Sequence, residues 1–174
     1  QLVTGACDMA GEVGHLLLEK GGPVGFGKAG SVEGFCGGGG IARQARAYTK
    51  EKVSQGKTPQ WIADGVAEEE IDAKLMAEYA QRGDKDALAI YDRVGKMLGY
   101  TLSLLMDAFN PERIVIGSIF ARSGQLLRPS MERVIEEQAI PQTRRACQVV
   151  PAQTGERLGD LASIAAACYG MGLE

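Results

Sequence analysis

The sequence has only one histidine, His15, and it has neither a basic stretch nor a long apolar run. Its 174 residues carry a net charge of −3, which argues against the basic footprint that nucleic-acid binding requires. No apolar run approaches the roughly 20 residues of a membrane-spanning helix, and no secretory signal pattern opens the chain. We therefore expect no nucleic acid and no membrane as partners of this chain.

Paired cysteines are also missing. Because no C-x-x-C pair occurs and structural zinc sites normally show clustered ligands, the sequence favours free, partly buried thiols over a disulfide or a metal role. Thiols of this kind are typical of a cytoplasmic protein. The cysteines are Cys7, Cys36, Cys147 and Cys168.

The first 40 residues are rich in glycine and lack helical periodicity. Residues 15–23 indicate a strand that runs into a turn at Gly21-Gly22-Pro23. Residues 24–40 indicate a compact loop that contains a short helix, for which Ser31 is a suitable N-cap. The run Gly37–Gly40 is expected to break that helix.

The middle of the chain is predicted to be helical. Thr58 and Pro59 are typical of an N-cap followed by the first helical residue. The last helix is apolar nearly all round towards its end, so we expect it to be central and buried. The predicted helices are residues 41–52, 58–66, 68–84 and 84–110.

The final third predicts an α/β arrangement. Residues 114–116 form a β-branched run that indicates a buried strand, and residues 146–153 indicate a second strand. Between them, residues 123–139 are predicted to be helical, with Pro129 in the first turn. Residues 159–173 predict a helix of small residues that packs closely on the sheet. Strands that alternate with helices indicate an α/β lobe.

Glu12 and His15 suit a ligand rich in hydroxyl groups, because a carboxylate accepts several hydrogen bonds and a neutral imidazole both donates and accepts. They also fit a turn carboxylate and a strand-end histidine. Glu33 is either a second carboxylate at the same pocket or a first-turn glutamate favoured by the helix dipole. The glycine loop around Lys28 lacks Walker spacing, so Lys28 is interpreted as a solvated turn residue.

Gly117 and Ser118 follow a predicted strand and precede a helix. Nucleotides bind at the carboxyl ends of strands in α/β folds, so these two residues are candidates for a cofactor site. An ordinary connection between the end of a strand and the start of a helix is the alternative interpretation of these two residues.

The order of the motifs is more specific than any one of them. The stretches AGEVGH, GSVEGF, YAQRGDKDA, NPERIVIG and GDLASIAAA together resemble the carboxyl-terminal half of the ROK family, which contains bacterial sugar kinases and sugar-responsive repressors. The resemblance implies one α/β lobe of the sugar kinase/hsp70/actin (ribonuclease H-like) fold, with a helical segment in the middle. It also implies that residues 1–174 are the carboxyl-terminal lobe of a longer, homodimeric protein whose amino-terminal lobe is absent here.

The resemblance assigns roles to particular residues. Glu12 and His15 match the family's E-x-G-H signature and, with Glu33, correspond to residues that contact sugar hydroxyls. Gly117 and Ser118 correspond to the adenosine side, where the family usually has two glycines. ATP and magnesium are expected only for the intact protein. The phosphate loops and the general base lie upstream in the family, so we expect no catalytic residue in this chain and no turnover by it alone.

One departure from the family concerns zinc. The usual motif C-x-C-G-x-x-G-C-x-E supplies three cysteines for a structural zinc, and this chain has Val24, Phe26 and Ser31 at those positions. Because structural zinc needs four soft or borderline ligands, we predict that zinc is absent. We expect Val24 and Phe26 to fill the space as an apolar plug.

Three functions are compatible with the sequence. The first is an ATP-dependent hexose kinase, the second a sugar-sensing repressor with a DNA-binding head upstream, and the third a diverged lobe that has lost activity. The intact set Glu12, His15 and Glu33 favours sugar recognition and argues against the third.

Overall fold

The computed structural model describes residues 3–154 and 157–171. Its helices are α1 (Val32–Cys36), α2 (Gly38–Ser54), α3 (Gln60–Ala63), α4 (Ala73–Gln81), α5 (Lys85–Phe109), α6 (Ser118–Gln138), α7 (Pro141–Ala146) and α8 (Leu158–Gly170). Its strands are β1 (Val24–Gly25), β2 (Lys28–Ala29), β3 (Arg113–Ile116) and β4 (Gln148–Pro151). Short 3-10 helices span Val13–His15 and Glu68–Glu70. No helix in the described part is long and apolar enough to cross a membrane.

The predicted α/β arrangement is present at the end of the chain. Strands β3 and β4 pair in parallel, with Ile114 opposite Val149, and α6 lies in the crossover between them. The expectation that residues 114–116 are fully buried is wrong, because the side chain of Val115 is 58% exposed. The described part of this sheet has two strands, and α6 contacts both of them while Val115 lies on the open face.

Helix α5 is the centre of the packing, and it begins where the carboxylate of Asp84 accepts a hydrogen bond from the Ala87 N–H at 2.8 Å. One side of the helix is buried against α6, α4 and α1. The expected burial all round is wrong, since Tyr100 and Leu104 on the other side are exposed. Partners cover only one side of α5 in the described part of the chain.

Helix α6 begins five residues earlier than expected, at Ser118 instead of 123, and Pro129 lies in its interior and not in its first turn. Proline normally interrupts a helix because it lacks an N–H group. Here the long contact of α6 with α5 and the burial of Leu127 and Met131 on either side of Pro129 favour one continuous helix.

The strand predicted for residues 15–23 is wrong. The chain makes a 3-10 turn over Val13–His15, and only a single bridge follows, between Leu17 and Ser31. Strand pairing stops at this bridge because Ser31 is the N-cap of α1, so the segment that pairs with Leu17 continues as a helix. The short helix after Ser31 is confirmed, with the Ser31 hydroxyl accepting from the Gly34 N–H at 3.1 Å.

The glycine run breaks the helices at one residue only. Gly37 separates α1 from α2, and α2 already includes Gly38, Gly39 and Gly40. Glycine is unfavourable inside a helix, but a Cβ on Gly40 would overlap the carbonyl oxygen of Gly34. Close backbone packing between α1 and the first turn of α2 therefore requires glycine at this position.

Helices α3 and α4 are shorter than predicted, and residues 172 and 173 of the predicted last helix lie outside the described residues. Helix α3 is only four residues long, with Pro59 as its N-cap. Residues 68–84 divide into the 3-10 helix Glu68–Glu70 and α4, which Asp72 caps. The predicted close packing of the last helix on the sheet is wrong, because Leu161 and Ile164 of α8 are 40% and 59% exposed.

A polar cluster links α2 to α5 and makes stability depend on pH. The Tyr48 hydroxyl donates to Asp86 Oδ1 at 2.6 Å, and Lys52 Nζ lies 2.9 Å from the same oxygen. Partial burial alone would raise the pKa of Asp86, but these two hydrogen bonds outweigh it and hold the pKa below its ordinary value.

Replacing Asp86 with asparagine is expected to lower the free energy of unfolding by about 1 kcal/mol at neutral pH. A depressed carboxylate pKa stabilises the fold above the unfolded pKa of about 4, and this contribution is lost as the pH falls. The difference between the two proteins in urea titrations should therefore begin to shrink below about pH 4 and continue to shrink as the pH falls through the lower pKa of folded Asp86. A constant difference between pH 3 and 7 would contradict the prediction.

Candidate functional site

The motif with the histidine forms a tight turn at the surface. Glu12 precedes the 3-10 helix Val13–His15, and the His15 N–H donates to the Glu12 carbonyl oxygen at 3.1 Å. Both side chains are exposed. The turn presents a carboxylate and an imidazole to solvent, which is the chemistry needed to bind hydroxyl groups.

Glu33 lies directly beside this turn. It is in the first turn of α1, and its side chain is exposed. A Cβ on Gly14 would lie 3.7 Å from the Glu33 Cβ, and the Val32 N–H donates to the Leu16 carbonyl oxygen at 2.9 Å. The structure thus places the E-x-G-H turn against the helix that carries Glu33, while the role of these side chains in sugar binding stays a prediction.

The β1–β2 hairpin connects the turn to α1. Lys28, interpreted above as a solvated turn residue, instead donates from Nζ to the His15 carbonyl oxygen at 2.6 Å. The fully buried Ser31 hydroxyl is shared between the carbonyl oxygens of Gly25 (3.2 Å) and Lys28 (3.1 Å). Since Ser31 also caps α1, these hydrogen bonds hold the histidine turn, the hairpin and the Glu33 helix together.

The expected apolar plug is wrong. Val24 is 49% exposed and Phe26 is 93% exposed, so neither fills an interior space. Phe26 lies in the hairpin turn and has a positive φ of 46°, a backbone conformation that is uncommon for residues other than glycine. Of the three residues at the family's cysteine positions, Ser31 is the buried one, and it bonds through its hydroxyl.

Two of the predicted sites meet in one cavity of about 370 Å³. Glu33 and Gly37 line it beside the E-x-G-H turn, and Gly117 lines it at the end of β3. Ser118 begins α6 beside it, and the Ser118 side chain lies outside the described part of the structure. Val94 and Leu98 of α5 also line the cavity.

A second cavity, of about 680 Å³, adjoins the first and shares Gly38 and Ile119 with it. Sequence reasoning did not identify this site, because its lining comes from α2, α4 and α6, which are far apart in the chain. The glycine run at the start of α2 was the available signal. Other lining residues include Gly39, Ala42, Asp72, Ala73, Lys74, Arg122 and Ser123.

The amino-terminal end of α2 faces both cavities. Gly37, its N-cap, has no side chain to bond the first N–H groups, and a Cβ on Gly38 would meet no atom within 4 Å. No side chain among the described residues caps this 17-residue helix, and the positive end of its dipole lies beside Glu33. Such an end suits a negatively charged group.

Cys36, which also lines the first cavity, is predicted to be chemically inert. Burial, and to a lesser extent the Glu33 carboxylate, raises the pKa of Cys36 to about 12. The thiol therefore stays protonated at pH 8, and the thiolate is the reactive form. Ellman's reagent at pH 8 should modify the exposed Cys7 rapidly and Cys36 only after unfolding in urea. Rapid modification of a Cys7→Ser variant at Cys36 would contradict this.

Comparisons with known proteins identify relatives of this chain. A model of the ROK family matches residues 1–167. The glucokinase of Halalkalibacterium halodurans is 31% identical over 160 residues, which are 91% of this chain and 47% of the relative. The DNA-binding transcriptional dual regulator NagC of Escherichia coli (strain K12) is 26% identical over 151 residues, which are 84% of this chain and 34% of the regulator.

A solved structure confirms the predicted fold. The ROK family glucokinase from Streptomyces griseus, in complex with glucose and AMPPNP, matches with a TM-score of 0.72 at 23% identity. The match covers 91% of this chain and 51% of that one. The chain therefore has the fold of one part of the sugar kinase/hsp70/actin architecture. It spans about half the length of each of the two glucokinases.

Proposed function

Because the chain belongs to the ROK family, we propose that it is the sugar-binding lobe of an ATP-dependent kinase for a hexose or a hexose derivative. The kinase transfers the γ-phosphate of ATP to a sugar hydroxyl. The observation that carries this proposal is a shared cavity. Glu33, which lies beside the E-x-G-H turn, and Gly117, which lies at the end of β3, both line it. A kinase needs its acceptor and its nucleotide in contact, and this cavity is where the two would meet.

Each group of residues has a role in this proposal. Glu12, His15 and Glu33 bind sugar hydroxyls. Gly117 and Ser118 bind on the nucleotide side, and the second cavity receives the remainder of the nucleotide. The general base, the phosphate loops and the site for magnesium come from the other lobe, because phosphoryl transfer needs all three. The isolated 174-residue chain is therefore expected to be inactive.

A second candidate is a sugar-sensing repressor, which the similarity to the Escherichia coli regulator favours. A repressor uses the same lobe to bind its sugar and binds DNA through a separate head. The glucokinase similarity is higher and extends over more of the chain, and this supports the kinase as the first choice. In both cases we propose a cytoplasmic homodimer in which this chain does not bind nucleic acid.

The test is ADP release by the complete two-lobed protein with Mg-ATP, over a panel of hexoses and N-acetylhexosamines. Turnover with one sugar and not with its epimers supports the kinase. A folded protein that binds a sugar but releases no ADP contradicts the kinase, and DNA-binding assays then test the repressor. Hexose-dependent ADP release by the isolated chain would show that the expectation of inactivity is wrong.

Zinc is predicted to be absent from the purified protein. Ser31, Val24 and Phe26 are not zinc ligands, and the Ser31 hydroxyl is already engaged by three backbone groups. Elemental analysis should find well below one zinc per chain, and a chelator should leave the melting temperature unchanged. One tightly bound zinc per chain would contradict this prediction.

A further inference from the structure

One face of α2 runs along the segment that leads into α4. Ala42, Arg46 and Lys50 are spaced four residues apart and therefore share this face. Ala42 lines the second cavity, and Lys50 forms an exposed ion pair of 2.8 Å with Glu68. Arg46 lies between them and contacts the backbone of the segment.

Arg46 donates two hydrogen bonds from one guanidinium nitrogen. Its Nη2 lies 3.0 Å from the carbonyl oxygen of Glu69 and 2.9 Å from that of Ile71. Hydrogen bonds from a charged donor are stronger than neutral ones, and here both acceptors are main-chain atoms. Arg46 therefore fixes the course of the backbone itself and not merely the position of a side chain.

The fixed backbone leads directly into the wall of the second cavity. Ile71 is fully buried, and the next three residues, Asp72, Ala73 and Lys74, all line the cavity together with Gly38 and Gly39. On the far side, the Tyr91 hydroxyl donates to the Ala73 carbonyl oxygen at 2.8 Å. The wall is thus held at two points, by Arg46 before it and by Tyr91 within it.

The position of Arg46 leaves one of its buried hydrogen-bond donors unpaired among the described residues. Its Nε is buried and has no hydrogen-bond partner among the residues that the structure describes. Most buried donors are satisfied, so an exception calls for an explanation. Arg46 uses Nη2 to bond two main-chain carbonyl oxygens, and in this geometry Nε stays buried. This is expected if the function of Arg46 is to hold the wall of the cavity in place.

We infer that Arg46 is a positioning residue that sets the distance between the start of α2 and the Asp72–Lys74 wall, and thereby the fit of the nucleotide in the second cavity. This inference rests on the proposed function. Arg46 does not touch the nucleotide. It acts through the backbone of Ile71, while the sugar site beside Glu33 lies at the other cavity and does not depend on it.

The experiment compares Arg46→Met with Lys50→Met in the complete protein, and measures KM for ATP and KM for the sugar separately. Lys50 is the matched control, because it extends from the same face of α2 to the same segment but pairs with an exposed side chain. For Arg46→Met, KM for ATP should rise about 5- to 20-fold, because Arg46 acts through the backbone and only part of the energy of its two lost hydrogen bonds affects ATP binding. KM for the sugar should stay within about twofold. Lys50→Met should leave both constants unchanged.

Arg46→Lys is the conservative variant and is expected to recover part of the affinity for ATP, because an ammonium group can still donate to one carbonyl oxygen. Equal KM values for ATP in all variants, or an equal rise in both KM values with Arg46→Met, would overturn the inference. If the unmodified protein has no ATP-dependent turnover, the proposed function fails first, and the two failures are therefore distinguishable.

Discussion

Replacing Glu33 with glutamine is expected to lower kcat/KM for the sugar by about 10- to 150-fold in the complete protein, while KM for ATP changes little. The substitution keeps the shape of the side chain and removes its charge. A hydrogen bond to a charged group contributes about 1.5–3 kcal/mol, and this range gives the expected factor. Because Glu33 lines the cavity that also reaches Gly117, the effect should appear in phosphorylation as well as in binding.

The effect must be separated from a loss of stability. Glu33 is exposed in the first turn of α1, so the amide should cost less than about 1 kcal/mol through the helix dipole. Glu51→Gln is the matched control, because Glu51 is an exposed glutamate in the last turns of α2, at the opposite end from Gly38. The same loss of kcat/KM in both variants, or none in either, would contradict a sugar-binding role for Glu33. Glu12→Gln should behave like Glu33→Gln.

Replacing Gly95 with alanine is expected to lower the free energy of unfolding by about 1–3 kcal/mol, although alanine favours helix formation. Gly95 lies where α5 and α6 cross, and an added Cβ would overlap Ser130 Oγ and lie 2.6 Å from the Leu127 carbonyl oxygen. One of these contacts is backbone, so α6 as a whole must move. Thermal unfolding should show a melting temperature lower by about 3–10 °C.

Gly124→Ala is the matched control for this prediction. Gly124 is also inside a long helix, α6, but its added Cβ would make ordinary contacts of 3.7–3.8 Å with the Phe120 ring. Here the helix propensity of alanine should dominate and raise the free energy of unfolding by up to about 1 kcal/mol. If both variants shift the melting temperature in the same direction, close packing of α5 on α6 is not the cause.

The positions that the sequence predicted correctly are those governed by neighbours along the chain. Ser31 caps the helix that carries Glu33, because a hydroxyl three residues before an N–H can reach it. Helix α5 begins within one residue of the predicted start at residue 84, and the β-branched run of residues 114–116 lies in β3. Such signals span only a few residues, and they are independent of the rest of the fold.

The features that the sequence did not reveal depend on contacts between distant segments. Lys28 lies in a glycine-rich stretch that is typical of a solvated turn. Its ammonium group nevertheless donates a hydrogen bond to the carbonyl oxygen of His15, 13 residues away. Phe26 was expected inside and is exposed, because it lies in the turn between β1 and β2, where no described element covers it. Arg46 gave no signal at all, since its acceptors are main-chain atoms 23 and 25 residues further along.

The sequence by itself determined the family, through the order of its motifs, and the identity of the sugar-site candidates Glu12, His15 and Glu33. Only the tertiary structure decided that Glu33 and Gly117 share a cavity and that a second cavity opens beside them. It also decided that a run of glycines starts a helix, because the backbone of Gly34 lies where a side chain on Gly40 would be. Local hydrogen bonds can be predicted from spacing, whereas a cavity exists only after distant helices have packed and their backbones have come into contact.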